Sequence, residues 1–328
     1  MSTPSKNEAA AAGRVSLSVV IPVFNEEETL DQLVERLTRA LDSIGEPWEV
    51  IFVNDGSVDR SGDMLRRFHE RDPRLKSVAL SRNFGHQVAI SCGLDFASGR
   101  GVIVMDGDLQ DPPEILPDLV GRWREGWDVV YAVRQRRKEN VFMRAAYKTF
   151  YWLLRRVSYL DIPLDSGDFS LIDRRVVDLL KSMPERNRFV RGLRTWVGLR
   201  QTGFEYARAA RYAGESKYSF AKLLRLAFDG LVSYSYVPLR VVSNIGMLVS
   251  LTALAYMMYL LLARLAGDRT IQGWTSTVVI VLFLGGIQLL SLGIIGEYIG
   301  RIFDEVKQRP HYVVAQLLGL EDTEDGRS

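Results

Sequence analysis

Two aspartates separated by one glycine, Asp106-Gly107-Asp108, followed at once by Leu109-Gln110, are the residues of this chain best suited by type and spacing to do chemistry. Carboxylates in this pattern just past a buried strand present hard oxygen donors to one Mg²⁺ or Mn²⁺, and the glycine lets a phosphate approach the backbone. Such cations take few protein carboxylates and complete their shell with water and diphosphate oxygens. Asp106, Asp108 and the Gln110 amide oxygen are therefore enough protein ligation. Two further polar groups stand in matching positions after apolar runs: Asn25-Glu26-Glu27 and Asn54-Asp55-Gly56-Ser57. Taken singly, Glu26-Glu27 reads as a helix-start complement and Asp55-Gly56 as a turn. Three acidic groups at one edge would repel one another unless a cation or a hydrogen-bonding ligand offsets them.

The elements that must bring these groups together are legible as apolar runs. Leu17–Val23, Trp48–Asn54, Leu75–Leu80, 101–105 and 127–131 read as strands, and Leu30, Leu33, Val34, Leu37 and Leu41 recur at helical spacing between the first two. A further helix is expected over 87–97, and another after Pro112-Pro113. Strands alternating with helices predict an α/β domain with a mostly parallel sheet covered on both faces, whose ligands sit at the carboxyl ends of the strands. No glycine-rich phosphate loop follows the first strand, which disfavours kinases and dinucleotide enzymes.

Over 328 residues, 42 Lys and Arg stand against 40 Asp and Glu, a formal net charge of +2. That balance excludes a general nucleic-acid binder. The single cysteine, Cys92, lies in an apolar helical stretch and reads as a core residue of a reducing compartment. Residues 1–14 form a polar, alanine-rich tail, expected to be disordered, without the apolar core of a signal peptide. Residues 241–263 and 275–296 carry no charge, and each matches the roughly 20 residues that cross a bilayer. They predict a two-helix transmembrane hairpin over 239–300. Arg225 and Arg240 before it, with Arg301, Lys307 and Arg309 after it, place both termini on the cytoplasmic side. Basic and aromatic residues interleaved from Arg134 to Arg156 predict an interfacial amphipathic helix over about 139–158, and a second amphipathic helix is expected at 219–238 beside the membrane. Residues 301–328 are expected to form a cytoplasmic tail.

Val20-Ile21-Pro22-Val23-Phe24-Asn25-Glu26, Val53-Asn54-Asp55-Gly56-Ser57-Val58-Asp59 and Met105-Asp106-Gly107-Asp108-Leu109-Gln110, in this order, resemble the GT-A nucleotide-sugar-binding domain of family 2 glycosyltransferases. Ser81-Arg82-Asn83-Phe84-Gly85, Gly167-Asp168-Phe169, Gly214-Glu215-Ser216-Lys217-Tyr218 and the terminal hairpin narrow the resemblance to polyprenyl-phosphate glycosyltransferases, bactoprenol glucosyltransferases above all and dolichol-phosphate mannose synthase more distantly. The resemblance covers nearly the whole chain and sets the catalytic domain at 15–218. It implies that Pro22, Asn25 and Glu26 line the nucleoside pocket, that Asp55 binds the base, and that Asp106, Asp108 and Gln110 hold the metal and the donor diphosphate. Arg82 and Lys217 would neutralise donor phosphate charge. Arg134 and Arg144 would bind the acceptor phosphate, although Lys148 stands where relatives often carry a hydroxyl. Asp108, through the metal, and Asp168, beside the acceptor, are the implied catalytic residues. Asp168 would orient the acceptor, contact the sugar or accept a proton. His86 reads as a polar residue at a helix start and is left outside the site.

The resemblance implies single-sugar inverting transfer from a UDP-sugar, with glucose expected, to undecaprenyl or another polyprenyl phosphate at the cytoplasmic membrane. Leu193-Arg194-Thr195-Trp196 departs from the Gln-x-x-Arg-Trp segment of processive synthases, which disfavours polymerisation. Mannose, N-acetylglucosamine or an aminoarabinose derivative stands as the alternative sugar, and a non-catalytic membrane scaffold as the alternative of another class. Residues 309–314 read as an extended segment able to add to the sheet edge of a neighbouring subunit, within a homo-oligomer expected by family analogy to be a tetramer. Residues beyond Leu320 are expected to be disordered.

Overall fold

The computed structural model describes residues 15–134, 166–186, 188–206, 237–265 and 273–321. The expected interfacial helix at 139–158, most of the amphipathic segment at 219–238, the N-terminal tail and residues 322–328 lie outside the described residues, as do Arg144 and Lys217.

One unit of the chain is built on an eight-stranded sheet of order β7-β5-β6-β4-β1-β2-β3-β8. Its strands are β1 (Leu17–Val23), β2 (Trp48–Asn54), β3 (Leu75–Leu80), β4 (Gly101–Val104), β5 (Val129–Arg134), β6 (Ser166–Asp173), β7 (Gln201–Tyr206) and β8 (Val314–Leu318). β1 is parallel to both β2 and β4, and β2 to β3, so four carboxyl ends share one edge. Every residue of β1 and β2 is buried, as expected for central strands covered on both faces. The alternation of side chains divides them: Val19 and Ile21 enter one apolar layer and Val20 the other.

Helix α1 (Leu30–Ile44) covers the first layer with Leu30, Leu33, Leu37 and Leu41, one stripe at helical spacing, and ends on Gly45 at φ 73°. α2 (Ser61–Arg71) joins β2 to β3. On the other face α3 (His86–Phe96) buries Ala89, Ile90, Cys92 and Leu94. Gly93 is required there, since a Cβ at that position would stand 2.2 Å from Val20 Cγ1. After β4 the chain runs through a short 3₁₀ turn, Pro113–Ile115, into α4 (Leu116–Arg124). α5 (Arg174–Ser182) and α6 (Val190–Val197) follow β6 and join the layer of α3.

β6 runs antiparallel to β4, and β5 antiparallel to β6, with Val104 opposite Ser170 and Val133 opposite Ser166. This register brings the start of β6, with Asp168, and the end of β5, with Arg134, to the edge where β1–β4 terminate.

The C-terminal segment corrects an expectation. Val314–Leu318 pairs antiparallel with β3 of its own chain, Ser77 opposite Leu318 and Val78 opposite Leu317. The segment expected to reach a neighbouring subunit's sheet thus leads into a strand paired within its own chain, and part of the 301–328 segment belongs to the catalytic sheet. Tyr312 donates a hydrogen bond to Asp95 Oδ2 (2.9 Å) on α3, anchoring the approach to β8.

The other unit contains α7 (Val237–Leu265, 29 residues) and α8 (Trp274–Val306, 33 residues). Among the described residues one stretch, Phe283–Val306, with a mean hydropathy of 1.4, is long and apolar enough to cross a membrane. It begins eight residues beyond the start of the expected 275–296 span and runs on past its end. In α7 the apolar stretch is shorter, Val242–Tyr256, against the expected 241–263. Side chains along both helices are largely exposed, including Leu248, Leu251, Phe283 and Leu289.

Candidate active site

Four loops converge at the carboxyl edge of β1–β4. In the first, Asn25 adopts a left-handed φ of 56°, and its side-chain oxygen accepts from Val58 N (2.9 Å) while its backbone N–H donates to Ser57 Oγ (3.0 Å). Asparagine tolerates this conformation better than most residues. Glu26 N–H donates to Ser61 Oγ (3.0 Å), and Thr29 Oγ1 donates to Glu26 Oε2 (3.1 Å). Asn25 and Glu26 therefore fasten the first loop to the second, and Pro22 is buried near the end of β1.

Asp55 is 3% exposed, and its carboxylate accepts from the backbone N–H groups of Phe84 (2.7 Å) and Gly85 (2.9 Å). Its expected place was against the base. In this structure both carboxylate oxygens also hold the β3–α3 loop, since two converging amides satisfy a buried anion that would otherwise be costly. Gly56, at φ 70°, permits the close approach: a Cβ there would meet Arg82 C and Asn83 N at 2.6 Å. Arg82 lies exposed over the Phe84 ring, 4.0 Å from its centroid, and donates to Asn83 O (2.9 Å).

The acidic loop after β4 carries the greatest electrostatic tension. Burial, with the charges of Asp111, Asp168 and Asp108, pushes the Asp106 carboxyl up to about 6 against the opposing effect of His86. Its Oδ1 is buried and lacks a hydrogen-bond partner among the described residues. Burial also raises Glu26, aided by Asp108 and Asp106. Leu109 takes a left-handed φ of 59°, and Gln110 folds back so that its backbone N–H and its amide nitrogen donate to Asp108 Oδ1 (3.1 Å) and Oδ2 (2.6 Å). A carboxylate only accepts, so the Gln110 amide presents its nitrogen to Asp108. Gln110 thereby clamps Asp108 through its nitrogens, and these bonds leave its amide oxygen, the atom expected to meet the metal, unused. The Thr29 hydroxyl, whose single proton is shared with Glu26 Oε2, also stands 3.1 Å from Gly107 O, tying this loop to the first.

Among the described residues no group of three His, Cys, Asp or Glu side chains forms a chelating cluster. The fit to a divalent cation rests on Asp106: a buried carboxylate oxygen without a donor, repelled by its acidic neighbours, is stabilised by a cation that draws its remaining ligands from a substrate and water.

His86, read from the sequence as a polar residue at a helix start and left outside the site, opens α3 between two of the acids. Its Nε2 stands 3.4 Å from Asp106 Oδ1 and 3.6 Å from Asp168 Oδ2. Contact with Asp168 raises its pKa, burial opposes the rise, and the Asp106 charge adds to it. Gln87 was missed as well: its amide nitrogen donates to Asp168 Oδ2 (3.0 Å) and its oxygen accepts from Val190 N (2.9 Å). Arg191 Nε is 3.6 Å from Asp168 Oδ1. Burial opposes ionisation of Asp168, but contact with His86 and the charges of Arg191 and Arg194 outweigh it and hold the carboxyl below its ordinary range. An Arg-x-x-Arg spacing at 191 and 194 was the one sequence signal available, because residues three apart share a helix face. The site thus gathers Pro22, Asn25, Glu26, Asp55, Arg82, Asp106, Asp108, Gln110 and Asp168 at one edge, with Arg134 ending β5 there.

Residues 18–180 match the model of glycosyl transferase family 2, and residues 237–302 match that of the GtrB C-terminal hairpin. The uncharacterized glycosyltransferase YkcC of Bacillus subtilis is 48% identical over 309 residues, 94% of this chain and 96% of the relative. The chain belongs to glycosyl transferase family 2. The SfII prophage-derived bactoprenol glucosyl transferase of Shigella flexneri is 40% identical over 92% of this chain and 97% of the relative. A prophage bactoprenol glucosyl transferase homolog of Escherichia coli is 38% identical over 92% of this chain and 99% of the relative. The GT-A-like α/β domain expected from the motifs is therefore the family's catalytic domain, and the similarity continues through the C-terminal helices.

Proposed function

We propose that the chain transfers a single glucosyl unit from UDP-glucose to undecaprenyl or a related polyprenyl phosphate at the cytoplasmic face of a membrane, with inversion and with Mg²⁺ or Mn²⁺. The observation that carries this reading is similarity to bactoprenol glucosyl transferases over 92% of the chain, through both the catalytic and the hairpin regions. In the reaction an acceptor phosphate oxygen attacks the anomeric carbon as the bond to the nucleotide diphosphate breaks, so an α-linked donor yields a β-linked lipid phosphate sugar.

Each candidate site residue has a task in this scheme. Pro22, Asn25 and Glu26 shape the nucleoside side of the cleft, and Asp55 sets the Arg82–Gly85 loop beside it. Asp106 and Asp108 would hold the cation, which when bound supplies positive charge to the departing diphosphate. Gln110 keeps Asp108 in place. Arg82 and Lys217 add positive charge on the donor side, and Arg134 with Arg144 neutralises the acceptor phosphate. A phosphate monoester near neutral pH is already an anionic nucleophile and needs positioning and charge compensation more than a strong base. Asp168, held ionised at the acceptor edge, orients that phosphate or takes its remaining proton. His86 couples Asp168 to Asp106.

The membrane part of the reading is a two-helix hairpin formed by α7 and α8, with both termini cytoplasmic and the interfacial segments 139–158 and 219–238 holding the cleft near the lipid. It is supported by the match to a hairpin family and by the apolar, exposed flanks of both helices. A homotetramer, implied by the family resemblance, completes it. Radiolabelled UDP- and GDP-sugars offered to undecaprenyl phosphate in membranes, with Mg²⁺ or EDTA, test the whole. Labelling with UDP-glucose that EDTA and Asp108→Ala abolish is expected. Labelling with another sugar alone would move the specificity, a retained anomeric configuration would refute the single displacement, and no transfer from any donor would favour a scaffold.

A further inference from the structure

Arg194 is the largest fully buried side chain of the described residues, 1% exposed, and its Nε and Nη2 have no hydrogen-bond partner among them. A guanidinium carries five donors and keeps its charge even where burial, as here, pulls its pKa down to about 10. Leaving such a group partly unsatisfied in the interior is unfavourable, and a well-packed apolar side chain of similar volume would serve the fold better. The charge must therefore be offset by something it faces. Two features do so: the ring of Tyr131 on β5, whose centroid is 5.5 Å from the guanidinium carbon, and the Asp168 carboxylate.

The rest of α6 is arranged about the same carboxylate. Gln87 joins the first amide of the helix, Val190 N, to Asp168 Oδ2, which fixes where the helix begins relative to the acid. From that start, residues 191 and 194 fall on one face, and Arg191 Nε reaches 3.6 Å from Asp168 Oδ1 and is itself buried without a hydrogen-bond partner among the described residues. At the other end, the carbonyl of Arg194 accepts from the Gln201 amide (2.8 Å), anchoring the helix to β7. The groups facing Asp168 are thus His86 and Gln87 from α3, Arg191 and Arg194 from α6, and Asp106 from the loop after β4. The last supplies charge of the same sign and the two arginines supply the compensation.

We infer that Arg191 and Arg194 are positioning residues that aim Asp168 at the acceptor edge and provide the fixed positive charge behind it. They act on the reaction through Asp168 and touch neither donor nor acceptor. The inference rests on the proposed role of Asp168 beside the acceptor.

The test is a double-mutant cycle on the full-length chain in detergent, measuring radiolabelled glucose transfer from UDP-glucose to undecaprenyl phosphate. Arg191→Met and Arg194→Met are expected to lower kcat by about 10- to 100-fold with the donor KM within twofold, and Arg194→Lys to retain most activity. In an Asp168→Asn background the same arginine substitutions are expected to change the rate by less than twofold, because groups acting through one residue are not additive. Asp168→Glu provides a second background that keeps the charge and a measurable rate. Arg191 is partly exposed, so Arg191→Met carries the cycle even where Arg194→Met fails to fold. Equal losses in the wild-type and Asp168-substituted backgrounds, or a raised donor KM, would overturn the inference and make the pair scaffold or donor contacts. Wild-type transfer by Asp168→Asn would instead overturn the reading of Asp168 beneath it.

Discussion

Replacing Asp55 by asparagine should unfasten the loop that leads into α3, at a cost that follows from its two hydrogen bonds. The carboxylate accepts from Phe84 N at 2.7 Å and Gly85 N at 2.9 Å in a nearly dry environment, and asparagine has almost the same volume. Its amide offers an oxygen to only one of the two N–H groups and turns a second donor on the other. One charge-assisted bond becomes neutral and one buried N–H is left without an acceptor, together about 2–4 kcal/mol. For a catalytic unit of this size, where 1 kcal/mol shifts Tm by about 2–4 °C, the expected fall is about 4–16 °C. Because His86 and Gln87 follow the released loop directly, transfer activity measured well below both transitions should also fall. Thermal unfolding of the full-length protein in detergent, followed by tryptophan fluorescence, reads the first effect. A Tm within about 2 °C of the wild type would refute the assignment of Asp55 as the anchor of this loop.

Glu49 offers a pH-dependent counterpart far from the site. Its carboxylate accepts from Lys76 Nζ (2.7 Å), Ser18 Oγ (2.5 Å), Ser98 N (2.8 Å) and Ser98 Oγ (2.7 Å). Burial opposes its charge, but these bonds outweigh burial and hold the folded-state pKa below the ordinary value. Its contribution is therefore complete above the unfolded pKa of about 4.3 and is lost as pH falls from there through the folded value. Unfolding free energy measured from neutral pH downward should drop more steeply in the wild type than in Glu49→Gln, and parallel curves would contradict the linkage. Tyr312→Phe should destabilise the catalytic unit by about 1–3 kcal/mol by leaving the Asp95 carboxylate without its donor. An unchanged urea midpoint would show that the C-terminal segment does not dock as described.

The first five strands were legible because their chemistry is local. Uninterrupted apolar runs such as Leu17–Val23 and Trp48–Asn54 have few other solutions in a chain that alternates them with amphipathic stretches, and polar residues just past their ends fall at one edge of a parallel sheet. The same logic located Asp106 and Asp108. It did not extend to Gln87, His86 or Arg194, whose roles depend on partners 81, 82 and 26 residues away in the chain at Asp168, and residue type alone gives no hint of them. Asp55 and Gln110 were found, but their hydrogen-bonding duties were not, because a carboxylate or amide that faces a ligand and one that also holds another part of the chain have the same spelling.

The sequence by itself determined the first five strands, the acidic edge and the two apolar segments near the C-terminus, since each follows from periodicity, charge or length over a short window. The tertiary structure decided which of those groups meet. The antiparallel register of β6 on β4 carries Asp168 to Asp106, a single glutamine sets the start of α6 so that two arginines stand behind that acid, and residues 314–318 cover the free edge of β3 in their own chain. Those outcomes are long-range pairings, and their physical cause is that buried charges and unpaired strand edges must find partners wherever the packed chain supplies them.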